Sequence, residues 1–196
     1  TVCVLVVDEE PAQLADDLGL QVAVPPATLR QRLDSKIETT RLGNEAGVPS
    51  VPNTVGTAAS YRELLALADG AGLGHDLVVQ TSYGDSGQTT FFIASESDWH
   101  TDQKKIIGED LKVMMRIEPR ECAIEGVITR HGTLVGPLMA ELTGFPAFTP
   151  YDGGWCGNDV SPDVLTAAQR QIARERTFAM GERLRQEGYR GYFELD

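Results

Sequence analysis

Two short apolar runs on either side of a polar, glycine-rich segment form the clearest hydrophobic pattern in the chain. The runs, 77–79 and 91–93, contain only Leu, Val, Phe and Ile, and residues of these types favour β-strands. The segment 82–90 between them places Gly84 and Gly87 among Ser, Thr, Asp, Tyr and Gln residues. The pattern therefore predicts a strand, a flexible loop and a second strand.

The loop 82–90 has the composition of an anion-binding flap. Glycine allows the backbone to approach a ligand closely, and successive N–H groups in such a loop can point at one anion. The hydroxyl groups of Ser86, Thr89 and Thr90 are further donors. The pattern alone fits two structures equally well, a flap that closes over nucleotide phosphates and an ordinary polar hairpin tip.

Elsewhere the apolar positions alternate between strand-like runs and helical spacing. Leu29, Leu33 and Ile37 recur at four-residue steps, which predicts one helix over 27–46 that carries Lys36. Further helices are predicted at 13–18, 61–68 and 163–186. Further strands are predicted at 2–7, 22–24, 111–117, 123–129, 133–138 and 189–195. The fold class is therefore predicted to be α+β, with α/β character at the start of the chain.

Two segments show no clear period. The segment 100–108 is polar and weakly patterned, and it follows an acidic turn that Ser95 is expected to cap. The segment 144–157 combines several glycines and two prolines with Trp155. We expect a long structured loop there, and loops of that length inside compact domains are usually functional.

Composition and charge exclude several classes of protein. The 196 residues, 41% of them hydrophobic, are enough for one or two compact domains. The net charge of −12 argues against non-specific binding to nucleic acid or to an anionic membrane. Cys3, Cys122 and Cys156 are odd in number and widely spaced, so they predict neither a disulfide framework nor a CxxC metal site. We expect a reducing, cytoplasmic setting.

The two ends of the chain fall beside predicted core strands. The sequence opens inside the apolar run 2–7 and stops directly after the predicted strand 189–195. A natural domain rarely begins and ends in this way. We therefore expect the chain to be a piece of a longer protein, with elements missing at both ends.

From about residue 27 onward, several segments follow one another in a recognisable order. Lys36 precedes the segment 45–49 (Glu-Ala-Gly-Val-Pro), and the strand and flap come next. A strand then leads to Arg120 and Glu121, followed by a hairpin, a long helix and the segment 188–196 (Gly-Tyr-Arg-Gly-Tyr-Phe-Glu-Leu-Asp). This ordered set resembles the ATP-grasp superfamily of carboxylate ligases. More narrowly, 123–132 and 153–158 are similar to the pheganomycin-type branch of bacterial peptide ligases.

The resemblance implies a fold and a reaction. It implies two α+β lobes around an ATP cleft: a small lobe over 47–113 and a large lobe over 114–196 that is incomplete at its C-terminus. Residues 1–46 would be the remnant of a Rossmann-like domain and a linking helix. ATP and Mg²⁺ would activate a carboxylate as an acyl-phosphate. The amine of an amino acid or small peptide would then attack the acyl-phosphate. The flap 82–90 would be a mobile lid on the phosphates.

The resemblance also implies site residues. Those expected to contact the nucleotide are Lys36, Gln80, Gly84, Ser86, Gly87, Thr89, Met115, Ile117 and Glu121. Among them, Lys36 would contact the phosphates, Glu121 the ribose, and Met115 and Ile117 the adenine. Arg190 would stabilise the oxyanion of the acyl-phosphate, and its planar fork suits that task. Asp196 would be the first Mg²⁺ ligand, and the remaining ligands would follow it in the full protein.

Three further residues have two readings each. Trp155 and Asn158 could wall a substrate pocket, although Trp is also a common loop anchor. Glu125 alternates along its predicted strand and could face the cleft or the solvent. We expect all three to belong to a substrate loop.

Gln80 departs from the family pattern, because most relatives carry a lysine on the strand before the flap. Either another cation replaces that lysine or this chain binds ATP differently. This departure leaves an inactive nucleotide-binding module as one alternative. A biotin-carboxylase-like enzyme that activates bicarbonate is another alternative. A homodimer is compatible with the resemblance.

Overall fold

The computed structural model describes residues 9–20, 25–84, 87–118, 121–151, 153–160 and 163–196. The predicted strands 2–7 and 22–24, the residue Ser86 and the residue Arg120 lie outside these ranges. The helices are α1 (Glu9–Asp17), α2 (Ala27–Leu33), α3 (Lys36–Glu45), α4 (Tyr61–Gly70), α5 (Glu96–Ile106) and α6 (Ala167–Gln186). The strands are β1 (Asn53–Gly56), β2 (Leu77–Thr81), β3 (Thr90–Ile93), β4 (Leu111–Met115), β5 (Cys122–Thr129), β6 (Gly132–Thr143), β7 (Trp155–Asp159) and β8 (Gly191–Leu195).

The strands form two antiparallel sheets. The first sheet has the order β1-β4-β2-β3, and the second has the order β7-β6-β5-β8. In the first sheet β2 pairs with β3 across the predicted flap, so that Gln80 lies opposite Thr90. In the second sheet β5 and β6 form the predicted hairpin, although β6 continues to Thr143 rather than ending at residue 138. The α+β class and the strand–loop–strand pattern of the flap are confirmed.

Each sheet has its own apolar core. The core of the first sheet contains fully buried side chains from β2, α4 and α5, among them Leu64, Leu77 and Trp99. The core of the second sheet joins Leu42 of α3 to Met180 of α6 and Phe193 of β8. Helix α3 is therefore anchored on the second sheet, while its first residue reaches the flap of the first.

The predicted helix 27–46 is wrong as a single element, because it is broken between α2 and α3. Ser35 is extended at the break and its side chain accepts a hydrogen bond from the Glu38 N–H at 3.3 Å. This N-cap starts a new helix, which the continuous spacing of Leu29, Leu33 and Ile37 conceals. As a result Lys36 is the first residue of α3 and does not lie in a helix interior.

Two segments predicted to be irregular are regular. Helix α5 occupies 96–106, where the sequence predicted only an acidic turn and a weakly patterned stretch. It begins with a reciprocal capping box between Ser95 and Asp98, and it buries Trp99 and Ile106 on one face. Strand β7 occupies part of the predicted loop 144–157, because its backbone pairs with β6 at the edge of the second sheet.

The long C-terminal helix begins later than predicted. Thr166 caps α6 in a second capping box with Gln169, so the helix starts at residue 167 and not at 163. Among the described helices, none combines the length and the apolar character needed to cross a membrane.

Candidate functional site

A cavity of about 890 Å³ lies between the two sheets and extends along α2, α3 and α6. From the side of the first sheet it is lined by Lys36, Gln80 and Lys112. From the second sheet it is lined by apolar side chains such as Leu138, and by the carboxylates of Glu194 and Asp196. The cavity has the size of a site for a small molecule, and it brings together three predicted site residues, Lys36, Gln80 and Asp196.

Lys36 holds the base of the flap at two points. Its backbone N–H donates to the carbonyl oxygen of Ser82 at 2.8 Å. Its side-chain Nζ donates to the carbonyl oxygen of Gly84. The helix break that places Lys36 at the start of α3 makes both contacts geometrically available, because the first N–H groups of a helix have no partner within the helix.

Gln80 and Lys112 lie directly opposite each other on β2 and β4. The Gln80 amide donates to Thr90 Oγ1 at 3.0 Å, and Lys112 Nζ donates to Ser50 Oγ at 2.9 Å. Burial, and secondarily the charge of Lys36, lower the pKa of Lys112. Lys112 was not among the residues predicted from the sequence. Its position depends on strand pairing between segments about thirty residues apart, which no local pattern reports.

The glycines of the flap are required by close contacts. Gly84 has φ +133°, and a Cβ at this residue would lie 2.2 Å from Thr89 Oγ1. Gly87 has φ +77°, and a Cβ there would lie 2.6 Å from the carbonyl oxygen of Gly153. The loop therefore folds on itself at Gly84 and, at Gly87, touches the segment that precedes β7. The φ angles lie in the region that only glycine adopts readily.

Three carboxylates converge at the second sheet. One oxygen each from Glu141, Glu194 and Asp196 lies within 4.8 Å of the others. Burial and the negative charges of Asp196, Glu194 and Glu121 raise the pKa of Glu141 to about 7. Burial also raises the pKa of Asp196. Carboxylate oxygens are suitable ligands for Mg²⁺, so this donor set fits a divalent cation. Sequence reasoning identified only Asp196. Glu141 belongs to the distant strand β6, and Glu194 was overlooked, although alternation along a strand places it on the same face as Asp196, two residues later.

The three residues predicted to hold the nucleoside lie outside the residues that line the cavity. Met115 ends β4, and its N–H donates to the carbonyl oxygen of Pro52 at 3.1 Å. Ile117 is exposed in the segment that follows. The carboxylate of Glu121 accepts a hydrogen bond from the Thr143 hydroxyl. Met115 and Glu121 lie at the two ends of the connection between the sheets.

Arg190 is not among the residues that line the cavity, and its side chain makes hydrogen bonds elsewhere. Its guanidinium donates to the carbonyl oxygens of Tyr189 at 2.6 Å and Arg185 at 3.1 Å. These carbonyls lie at and beyond the end of α6, where a cation interacts favourably with the unpaired oxygens of the helix. The structure therefore does not bring Arg190 together with Lys36 and Asp196.

The three predicted substrate-loop residues are tied into the second sheet. The Tyr192 hydroxyl donates to the Glu125 carboxylate at 2.5 Å. Trp155 Nε1 donates to Asn158 Oδ1 at 3.0 Å. Trp155 and Asn158 therefore belong to the edge strand β7 and not to a loop, although Trp155 is about half exposed.

No family model matches the chain, and no curated protein sequence matches it either. Solved structures do match. Carboxyaminoimidazole ribonucleotide synthase from Aspergillus clavatus, complexed with ATP, aligns with a TM-score of 0.72 at 15% identity, over 95% of this chain and 46% of that one. D-alanyl-alanine synthetase A from Vibrio cholerae aligns with a TM-score of 0.72 at 11% identity, over 94% of this chain and 56% of that one.

A third match is the biotin carboxylase domain dimer of 2-oxoglutarate carboxylase from Hydrogenobacter thermophilus, in complex with MgADP, ADP and bicarbonate. Its TM-score is 0.71 at 18% identity, over 95% of this chain and 41% of that one. The chain spans about half the length of these structures. At such low identity the similarity shows the fold alone. The chain therefore has the ATP-grasp fold.

Proposed function

We propose that the cleft binds Mg²⁺ and ATP, and that the whole protein is a ligase that joins a carboxylate to an amine. The observation that supports this most is the pairing of opposite charges across one cavity. Lys36 lines it from the side of the flap, and Glu194 and Asp196 line it from the second sheet. A nucleoside triphosphate with a bound Mg²⁺ needs a cationic side chain for its phosphates and carboxylates for the metal ion in the same place.

In this proposal the first lobe binds the phosphates. Lys36 contacts them, and the N–H groups of the loop that contains Gly84, Gly87 and Thr89 close over them, together with Ser86, which lies outside the described residues. Asp196, with Glu141 and Glu194, holds Mg²⁺. When bound, the cation neutralises phosphate charge and so favours transfer of the terminal phosphoryl group.

The remaining predicted residues have roles in the same scheme. Met115 and Ile117 line the adenine, and Glu121 binds the ribose hydroxyls. Arg190 stabilises the oxyanion after its side chain leaves the carbonyls at the end of α6. Glu125, Trp155 and Asn158 form one wall of the acceptor site.

The reaction has two steps with balanced charges. A carboxylate oxygen attacks the terminal phosphorus of ATP, so that an acyl-phosphate forms and ADP leaves. The amine then attacks the acyl carbon and the C–N bond forms. The C–O bond to the phosphate breaks, phosphate leaves with that oxygen, and the nitrogen loses one proton to the phosphate or to solvent. Positioning and charge neutralisation supply most of the catalysis in such transfers.

We propose an amino acid or small peptide as the substrate, in line with the resemblance to peptide ligases and with the D-alanyl-alanine synthetase neighbour. Bicarbonate is the second candidate, because one neighbour is a biotin carboxylase complexed with bicarbonate and MgADP. The division into 1–46, 47–113 and 114–196, a cytoplasmic location and a homodimer belong to the same proposal.

Release of ADP by the full-length protein tests the proposal. The protein is incubated with ATP, Mg²⁺ and a panel of amino acids, dipeptides and bicarbonate, and ADP is measured with and without each amine. We expect ADP release that depends on both a carboxylate and an amine. Bicarbonate-dependent release without an amine would replace the ligase with the second candidate. Tight ATP binding without turnover on any substrate would indicate an inactive module.

A further inference from the structure

Lys112 and Gln80 form a cross-strand pair on the wall of the cavity. Their Cα atoms are partners in the antiparallel register of β2 and β4, and directly opposed residues of such a pair project from the same face of the sheet. Both side chains line the cavity beside Lys36. A cation therefore stands next to Gln80 in space, although it is far from Gln80 in sequence.

The surroundings of Lys112 are those of an anion site. Its Nζ donates to a neutral partner, Ser50 Oγ, at 2.9 Å. Within the described ranges, no carboxylate forms an ion pair with it, and the nearby charge that affects it is the cation of Lys36. Two ammonium groups that share a half-buried wall repel each other, and an anion between them removes that cost.

The geometry of Lys112 leaves donors for a ligand. An ammonium group has three N–H donors, and the bond to Ser50 uses one of them. Gln80 brings no charge to such a site, because its amide is neutral, and one of its two amide N–H groups donates to Thr90 at the end of the flap. Of the two neighbours, only Lys112 therefore carries a charge that can pair with an anion in the cavity.

We propose that Lys112 is the second phosphate-binding cation of the cleft, supplied by β4 beside Gln80 of β2. The inference rests on the proposed nucleotide-binding function and adds to it a named residue. In this proposal Lys112 of β4 is the cation that replaces the lysine expected at residue 80 of β2.

The test measures affinities for ATP, ADP and adenosine by calorimetric titration in the presence of Mg²⁺. Three proteins are compared: the wild type, Lys112→Gln, and the exchange variant Gln80→Lys/Lys112→Gln. Lys104→Gln, an exposed lysine of α5, is the matched control. Loss of a charge-assisted hydrogen bond should weaken ATP binding roughly 10- to 100-fold. We expect this loss in Lys112→Gln, an unchanged affinity for adenosine, and recovery of most of the ATP affinity in the exchange variant.

The outcomes separate this inference from the proposed function. If the wild type binds ATP and Lys112→Gln binds it equally well, the role of Lys112 is wrong while the proposed function stands. An equal loss for ATP and adenosine, or an exchange variant that recovers nothing while its thermal unfolding matches the wild type, also overturns the role of Lys112. If the wild type binds neither ATP nor ADP, both proposals fail together.

Discussion

Gly87 of the flap and Gly153, which lies just before β7, touch through their backbones. A Cβ at residue 87 would lie 2.6 Å from the Gly153 carbonyl oxygen and 3.0 Å from the Gly154 nitrogen. Real Cβ atoms do not approach a carbonyl so closely, so the contact exists only because residue 87 is glycine. The flap is thus held at its base by Lys36 of α3 and, at Gly87, lies against the backbone of residues 153 and 154.

Gly87→Ala should separate the flap from Gly153. We expect ATP binding to weaken roughly tenfold, equivalent to about 1.4 kcal/mol, because the flap no longer closes over the phosphates. Gly74→Ala is the matched control: Gly74 has a similar φ of +72° but no heavy atom within 4 Å of the added Cβ. Both variants should lose about 1 kcal/mol of folding free energy through the positive φ. Equal ATP affinities in the two variants would show that the contact has no role in binding.

Arg190→Ala should separate catalysis from nucleotide binding. If Arg190 stabilises the developing oxyanion, kcat should fall on the order of 100-fold or more while the affinity for ATP is unchanged. Arg185→Ala serves as control, because Arg185 lies in the last turn of α6, near the carbonyls to which Arg190 donates, but its side chain pairs with Glu182. A normal kcat in Arg190→Ala, with reduced thermal stability in both variants, would contradict the catalytic role. Arg190 would then only stabilise the C-terminal end of α6.

Glu141 should make stability depend on pH in the absence of divalent cations. Its pKa is raised from 4.5 to about 7, so the folded protein binds the proton more tightly than the unfolded chain does. The resulting stabilisation is complete below pH 4.5 and is lost as the pH rises through 7. In urea unfolding with a chelator, Glu141→Gln should therefore gain stability relative to wild type as the pH rises over this interval. Glu109→Gln, which removes an exposed charge, is the control, and a wild-type curve parallel to Glu141→Gln would contradict the predicted pKa.

The sequence predicted elements that depend on neighbours along the chain. The apolar runs around the flap, the start of α4 at residue 61 and the hairpin of β5 and β6 were all predicted from local patterns. Helix α5 was missed because polar residues obscure the single apolar face made by Trp99 and Ile106, which lie seven residues apart. The Ser95 and Asp98 pair was the signal that could have identified it.

The sequence predicted residues of the candidate site only through the order of its segments. Lys36 and Asp196 fell at recognisable positions in an ordered set of segments, and both line the cavity. Lys112 and Glu141 could not be found in this way, because strand pairing brings Lys112 beside Gln80 and Glu141 close to Asp196. Register is fixed by burial across the whole sheet and not by the residues beside each position.

Calorimetric titration of the full-length protein with ATP in the presence of Mg²⁺ tests the central claim most directly. The account predicts saturable binding at one site per chain. It predicts that Lys36→Gln weakens this binding roughly tenfold or more, through loss of a charge-assisted contact, while Lys104→Gln leaves it unchanged. Absence of binding to ATP and ADP, or binding that is insensitive to Lys36→Gln, would contradict the assignment of this cleft as a nucleotide site.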